Sequence, residues 1–305
     1  VTPLSSRRQG LIAGASAYGL WGLLPAYFVL LAPSGPVEIV AWRIFLSLVF
    51  CLLILAVMKR IPTTLGLLRN PVTVGWSFLA AVFILANWSV YVYASLNQFI
   101  VEAALGYFIN PLVTVALGVI ILKETLRPAQ WASLGLAVVA VIVLAVGYGE
   151  VPVISLVLAF SFGFYGFVKN RMGPSVKSID SLTLETLWLS PIAIGVLIWL
   201  YLAGDITLGT LSPTHTVLVL LAGAVTSVPL LLFGSAARRL PLSIIGLMQY
   251  IAPILQFLFG VVIMSEPMPP ERWIGFGLVW LALTLLSVDA LRARHNRFQI
   301  PPPPQ

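Results

Sequence analysis

Residues 105–136 read LGYFINPLVTVALGVIILKETLRPAQWASLGL, and residues 247–278 read LMQYIAPILQFLFGVVIMSEPMPPERWIGFGL. At an offset of 142 residues the two stretches align without a gap. Leu105, Ile109, Pro111, Gly118, Val119 and Ile121 fall on Leu247, Ile251, Pro253, Gly260, Val261 and Ile263. Glu124, Pro128, Trp131, Gly135 and Leu136 fall on Glu266, Pro270, Trp273, Gly277 and Leu278. A shared apolar composition explains the leucines and isoleucines. It does not explain two prolines, a glutamate and a tryptophan recurring at one offset. A second offset, 144, sets Gly19-Leu20-Trp21-Gly22 on Gly163-Phe164-Tyr165-Gly166. The chain is therefore read as two copies of one unit.

Each copy consists of apolar runs long enough, at about 20 helical residues, to cross a hydrocarbon layer about 30 Å thick. The runs fall at 11–31, 37–58, 72–94, 102–122, 130–147, 152–169, 181–203, 215–235, 243–264 and 273–291. They predict an all-α integral membrane protein with ten transmembrane helices. Proline and glycine punctuate the breaks, as at Pro33-Ser34-Gly35-Pro36 and Pro267-Met268-Pro269-Pro270, where the backbone enters water. Charged residues are 9% of the 305 and hydrophobic ones 60%. A soluble domain has roughly 25% charged residues, so lipid must serve as solvent for part of this surface. Arg7 and Arg8 ahead of the first run resemble a signal peptide. That run exceeds the usual h-region of about 7–15 residues and lacks a small-residue cleavage site, so it is read as a retained span. Cys51 is the only cysteine and lies inside an apolar run, which leaves no intrachain disulfide and no cysteine zinc site.

Charge tests the helix count. With ten spans, all but two of the 17 basic residues fall on one side, among them Lys59, Arg60, Arg69, Lys169, Arg171 and Arg239. Arg272 lies opposite and Arg43 lies within the second run. Glu150, Asp205, Glu266 and Glu271 collect on the other side. This alternation predicts both termini in the cytoplasm and an inner-membrane location. The net charge of +7 is thus a topology signal, and no nucleic-acid partner is expected. The expected layout is a cytoplasmic segment 1–10, a first five-span repeat at 11–147, a second at 152–291, and a proline-rich tail at 292–305. Because each repeat has an odd number of spans, the second copy inserts upside down. Such inverted repeats hold substrate at their interface near the bilayer midplane and work by alternating access.

Polar groups inside the runs are the candidate site. Glu38 and Arg43 are five residues apart, which sets their side chains about 140° apart on one helix and prevents a comfortable pair. Arg43 then serves an anionic group or a carboxylate gate, with Glu102 its expected partner at similar depth, or else it snorkels outward or locks two helices together. Asn87, beside Trp88, should face the bundle interior, because an amide in lipid requires partners. Tyr107, Asn110 and Pro111 form the richest cluster, mirrored by Gln249, Tyr250 and Pro253. Matched proline breaks in the two halves point to a transport site. Trp21 and Tyr165, with Tyr18, Tyr27 and Tyr91, are candidate cavity walls. Glu185 is either a titrating group or a first-turn carboxylate. Glu124 and Glu266 read as caps or surface pairs beside Arg127 and Arg272, and Gly19/Gly22 and Gly163/Gly166 as points of close packing.

Several motifs are Trp21-Gly22-Leu23-Leu24-Pro25, Glu38-Ile39-Val40-Ala41-Trp42-Arg43, Asn87-Trp88 and the long run Glu102 to Leu112, EAALGYFINPL. With the five-plus-five arrangement they resemble RarD-type permeases of the EamA family, in the drug/metabolite transporter superfamily. The resemblance covers the chain to about residue 291 and departs from it at Trp42, where many relatives carry histidine. It implies a permease or exporter for a small metabolite or drug-like solute, with no cofactor and no bound metal. Monomer and homodimer both remain open. An intramembrane enzyme is the main rival reading. Only His215 and His295 are available to it, and no H-E-x-x-H or G-x-S-x-G occurs. A receptor or scaffold would need a soluble readout domain, and no loop is long enough for one.

Overall fold

In the computed structural model, described for residues 4–297 except 124, 150, 174, 175 and 238, the protein is a bundle of helices. Among the described residues nine helices are long and apolar enough to cross a membrane, and ten if one bent pair counts as a single span. That pair is the first span, Leu4–Gly22 and Leu24–Leu30, bent by 42°. The second to seventh spans are Pro36–Val57, Pro71–Leu96, Ile100–Leu122, Pro128–Tyr148, Val153–Met172 and Ser178–Ala203. The eighth joins Pro213–Leu220 to Ala222–Ala237. The ninth runs through Leu242–Met248, Ile251–Leu258 and a π-helical turn, Phe259–Ile263, and the tenth is Pro270–Arg297. Pro36, Pro71, Pro128, Pro213 and Pro270 each open a span, where a missing N–H costs nothing and the fixed φ suits the first turn.

The packing has a regularity that the sequence duplication anticipates. The third span lies on the sixth, the eighth on the first, the fourth on the sixth and the ninth on the first. The second meets the seventh, the fourth meets the ninth and the fifth meets the tenth. Exchanging each span with the one five places along returns the same set of pairs. The fourth and ninth spans also end alike, on left-handed Lys123 (φ 56°) and Ser265 (φ 53°), which the 142 offset superposes.

Small residues set the closest approaches. A Cβ on Gly223 of the eighth span would overlap the Leu46 carbonyl of the second. One on Gly106 would meet the Ser155 carbonyl of the sixth span at 2.6 Å. Of the expected glycine pairs, Gly22 packs on Leu255 and Gly163 on Val113, whereas Gly19 and Gly166 face open space.

Pro111 corrects an expectation. The fourth span runs through it unbroken, while the ninth breaks at Gln249 and Tyr250, four and three residues ahead of Pro253. Both prolines remove a backbone donor. The fourth span, however, buries Ala103, Ala104, Leu105, Phe108, Ile109, Leu112 and Val113 against its neighbours. Packing on that scale keeps a helix continuous across one missing hydrogen bond.

Candidate functional site

The second span brings Arg43 into the centre of the bundle, where it is 4% exposed. Its Nε donates to Thr226 Oγ1 of the eighth span at 2.9 Å. The guanidinium lies over the Trp88 ring at 4.4 Å and near the Phe28 ring at 5.3 Å. Tyr27, Tyr91 and Tyr107 surround it within electrostatic reach. Stacking on an indole suits a planar, weakly hydrated cation, and a desolvated contact of this type is worth about 2 kcal/mol.

One helical turn from Tyr91, Asn87 faces the interior as expected. Its Nδ2 donates to Ser161 Oγ at 3.2 Å and to the Leu158 carbonyl at 3.4 Å. Its Oδ1 accepts from the Tyr107 hydroxyl at 3.0 Å. That chain ties the third, fourth and sixth spans together. Tyr107 in turn stands edge-on to Tyr91 at 5.5 Å and to Phe162 at 5.8 Å. From the ninth span Gln256 reaches the Trp21 carbonyl through Nε2 at 3.1 Å. Among the described residues, three buried polar atoms in this cluster make no hydrogen bond of ordinary geometry: Arg43 Nη1, the Tyr91 hydroxyl and Gln256 Oε1, the last two on side chains that lie beside one another. Each leaves about 1–3 kcal/mol of desolvation uncompensated, so their convergence calls for a reason.

Of the sequence candidates, the fold therefore assembles Arg43, Asn87, Trp88 and Tyr107, with Trp21 at the edge through its carbonyl. The others lie elsewhere. Asn110 Nδ2 bonds the Ala159 carbonyl at 3.1 Å, a tie between the fourth and sixth spans. Gln249 sits half-buried at the helix break, and Tyr250 faces Ser287 of the tenth span at 3.4 Å. Tyr165 donates to Glu185 Oε2 at 3.0 Å, and Glu185 Oε1 also takes Lys169 Nζ at 2.7 Å. Glu185 is thus a buried partner of the sixth-span lysine. Gln256, Thr226 and Phe28 were missed by the sequence reading. A glutamine in an otherwise apolar span was the available signal for the first of these.

Glu102 is the clearest correction. No ion pair joins it to Arg43 among the described residues. Its Oε1 instead accepts from Ile154 N at 3.1 Å and Ser155 N at 3.5 Å, capping the sixth span. A carboxylate at a helix N-terminus meets both the orphan N–H groups and the positive end of the dipole. Glu266 does the same across the repeats. Buried at the end of the ninth span, it accepts from Ile100 N at 2.7 Å and Val101 N at 2.8 Å. Glu266→Gln should keep the shape but lose the charge, lowering stability by about 1–2 kcal/mol in a detergent melt. An unchanged melt would show the cap to be energetically idle. Glu124, its counterpart, lies outside the described residues, and Arg127 pairs with Asp289 of the tenth span.

The two ends of the bundle carry matched contacts. At one end Glu38 accepts from Thr207 N at 2.8 Å and Thr207 Oγ1 at 2.9 Å, with the Trp42 indole donating at 3.3 Å. At the other, Asp180 accepts from Thr64 Oγ1 at 2.7 Å and Arg60 Nη2 at 2.8 Å. The 142 offset superposes Glu38 on Asp180, and Thr207 stands one place past the counterpart of Thr64. Each carboxylate opens the second span of its own repeat and binds the loop after the second span of the other.

Comparison with known proteins places this geometry. The EamA-like transporter family matches twice, at residues 8–146 and 152–288. "Protein RarD" of Streptomyces exfoliatus is 48% identical over 297 residues, covering 97% of this chain and 94% of that protein. "Uncharacterized transporter YojE" of Bacillus subtilis is 39% identical, covering 93% of this chain and 95% of that one. A solved crystal structure superposes with a TM-score of 0.57 at 19% identity, covering 92% of this chain and 97% of the other.

Proposed function

This chain belongs to the EamA-like transporter family, and on that premise we propose a secondary transporter that works by alternating access of two inverted repeats. It moves a small solute across the bacterial inner membrane, with both termini cytoplasmic. The solute binds between the second, third, fourth, eighth and ninth spans, around Arg43, Asn87, Trp88, Tyr91 and Tyr107. The orientation rests on the segregation of basic loops.

The observation that carries alternating access is the matched pair of carboxylate–threonine contacts. Glu38–Thr207 lies at the end assigned to the outside and Asp180–Thr64 at the cytoplasmic end. With both closed, the binding residues are sealed from either side. Opening outward separates Glu38 from Thr207 and leaves Asp180 engaged, and opening inward does the reverse. Two-fold related latches are what an exchange of repeat conformations requires, since the state of one copy becomes the state of the other.

The test is a pair of opposite shifts. A reporter cysteine replaces half-buried Tyr27 in a chain with Cys51→Ala, and an impermeant thiol reagent is applied from each side of reconstituted vesicles. Thr207→Val should raise outside labelling about tenfold, the loss of roughly one carboxylate hydrogen bond from the closed state. Thr64→Val should raise labelling from the cytoplasmic side and lower it from outside. Cysteines at exposed Gly35, Gly149 and Gly209 fix the outer face, and Leu65 the inner. Both latch variants shifting accessibility the same way would sink alternating access, and outside labelling at Leu65 would sink the orientation.

A further inference from the structure

We infer that the central site takes a compact organic monocarboxylate that also carries a hydrogen-bond donor, an inference resting on the permease reading of the same residues. The three unpartnered atoms define the shape of the request. Arg43 Nη1 and the Tyr91 hydroxyl are donors, and Gln256 Oε1 is an acceptor. All three side chains are more than nine-tenths buried, at 4%, 3% and 3% exposure. They adjoin: Phe28 touches both Arg43, at 5.3 Å, and Tyr91, at 6.0 Å, and Tyr91 lies beside Gln256.

The remaining surface of Arg43 selects the ligand. Its Nε is committed to Thr226 and one face to Trp88, which leaves the in-plane edge that carries Nη1. An in-plane guanidinium edge fits the plane of a carboxylate. The surroundings also set the charge. Arg60 pairs with Asp180 and Lys169 with Glu185, so those cations are compensated within the protein. Among the described residues Arg43 makes no ion pair, and its neighbours Thr226, Trp88, Phe28 and three tyrosines are neutral. One negative charge neutralises it, and a dianion would bring a second charge into a low-dielectric interior with nothing to meet it. Gln256 Oε1 supplies the place for a ligand hydroxyl proton, whereas an ammonium would return a positive charge beside Arg43.

The experiment compares acids with their own neutral amides on the full-length purified protein. Lactate, mandelate and phenyllactate are paired with lactamide, mandelamide and phenyllactamide, and inorganic phosphate stands for a dianion. Tryptophan quenching and melting temperature report binding. At least one acid should bind about tenfold or more tightly than its amide, and phosphate should not compete. Tyr91→Phe should weaken that acid about tenfold, and Arg43→Lys should weaken it while retaining preference over the amide. The ligand-free melt of each variant controls for folding. Acids and amides binding alike, no acid binding, or phosphate displacing the acid would each overturn the assignment. Flux of neutral solute that fails in Asn87→Ala, without carboxylate binding, overturns the anion class and leaves the permease standing. Carboxylate binding without flux does the opposite.

Discussion

A Lys169→Met variant should be about 3 kcal/mol less stable than the parent chain, a large shift in a detergent melt. Glu185 is fully buried on the seventh span, and its carboxylate is held by Lys169 Nζ, Ser181 Oγ and the Tyr165 hydroxyl. Lys169 itself is 27% exposed, so its own charge loses little when the pair is broken. The cost falls on Glu185, which loses its cationic partner and keeps two neutral donors in an apolar bundle. The lower end of the range for breaking a buried pair applies because one partner keeps contact with water. Adding Glu185→Gln to Lys169→Met should restore more than half of the loss, since the orphaned charge disappears. No recovery in the double variant would mean that the Lys169 ammonium over the Tyr165 ring, at 5.2 Å, matters more than its pairing with Glu185.

The second large effect concerns transport. Arg43→Gln should reduce solute flux about a hundredfold, the loss of a charge-assisted contact made only by this side chain. Glu102→Gln should leave flux within about threefold while weakening the cap on the sixth span. The exchanged variant, Arg43→Glu with Glu102→Arg, should recover nothing. In a double-mutant cycle on transport rate the coupling should fall within about 0.5 kcal/mol of zero, as for distant sites without shared partners. Recovery of flux in the exchanged variant would restore the charge pair that the sequence suggested and remove Arg43 from solute binding.

The error over Glu102 shows where sequence reading stops. Similar depth along two spans is legible from residue counting, and it made Arg43 and Glu102 natural partners. Counting does not give azimuth between helices that are distant in sequence. The fourth span turns Glu102 toward the start of the sixth, where free N–H groups compete for it. The second span turns Arg43 toward Trp88 and Thr226.

Other features were fully legible. The helical class and spans follow from hydrophobic length, because a backbone in lipid has few ways to satisfy its own hydrogen bonds. Duplication was visible because proline, glutamate and tryptophan recur at one offset. The inward direction of Asn87 followed from the cost of an amide in lipid, and the separation of Glu38 from Arg43 followed from helical geometry. Each of these is a property of one segment and its solvent.

Tertiary structure alone decided the rest. It kept the fourth span continuous at Pro111 and let the ninth break before Pro253, because packing and not the proline sets which helix yields. It turned Gln256 to the Trp21 carbonyl, left Gln249 half-buried at the helix break, and sent Tyr165 to Glu185. It also joined Glu38 to Thr207 and Asp180 to Thr64 at opposite ends of the bundle. A carboxylate or a glutamine in a span needs a partner, and the sequence states that need. Which partner answers depends on the rotation and crossing of different helices, and those are fixed only when every interface packs at once.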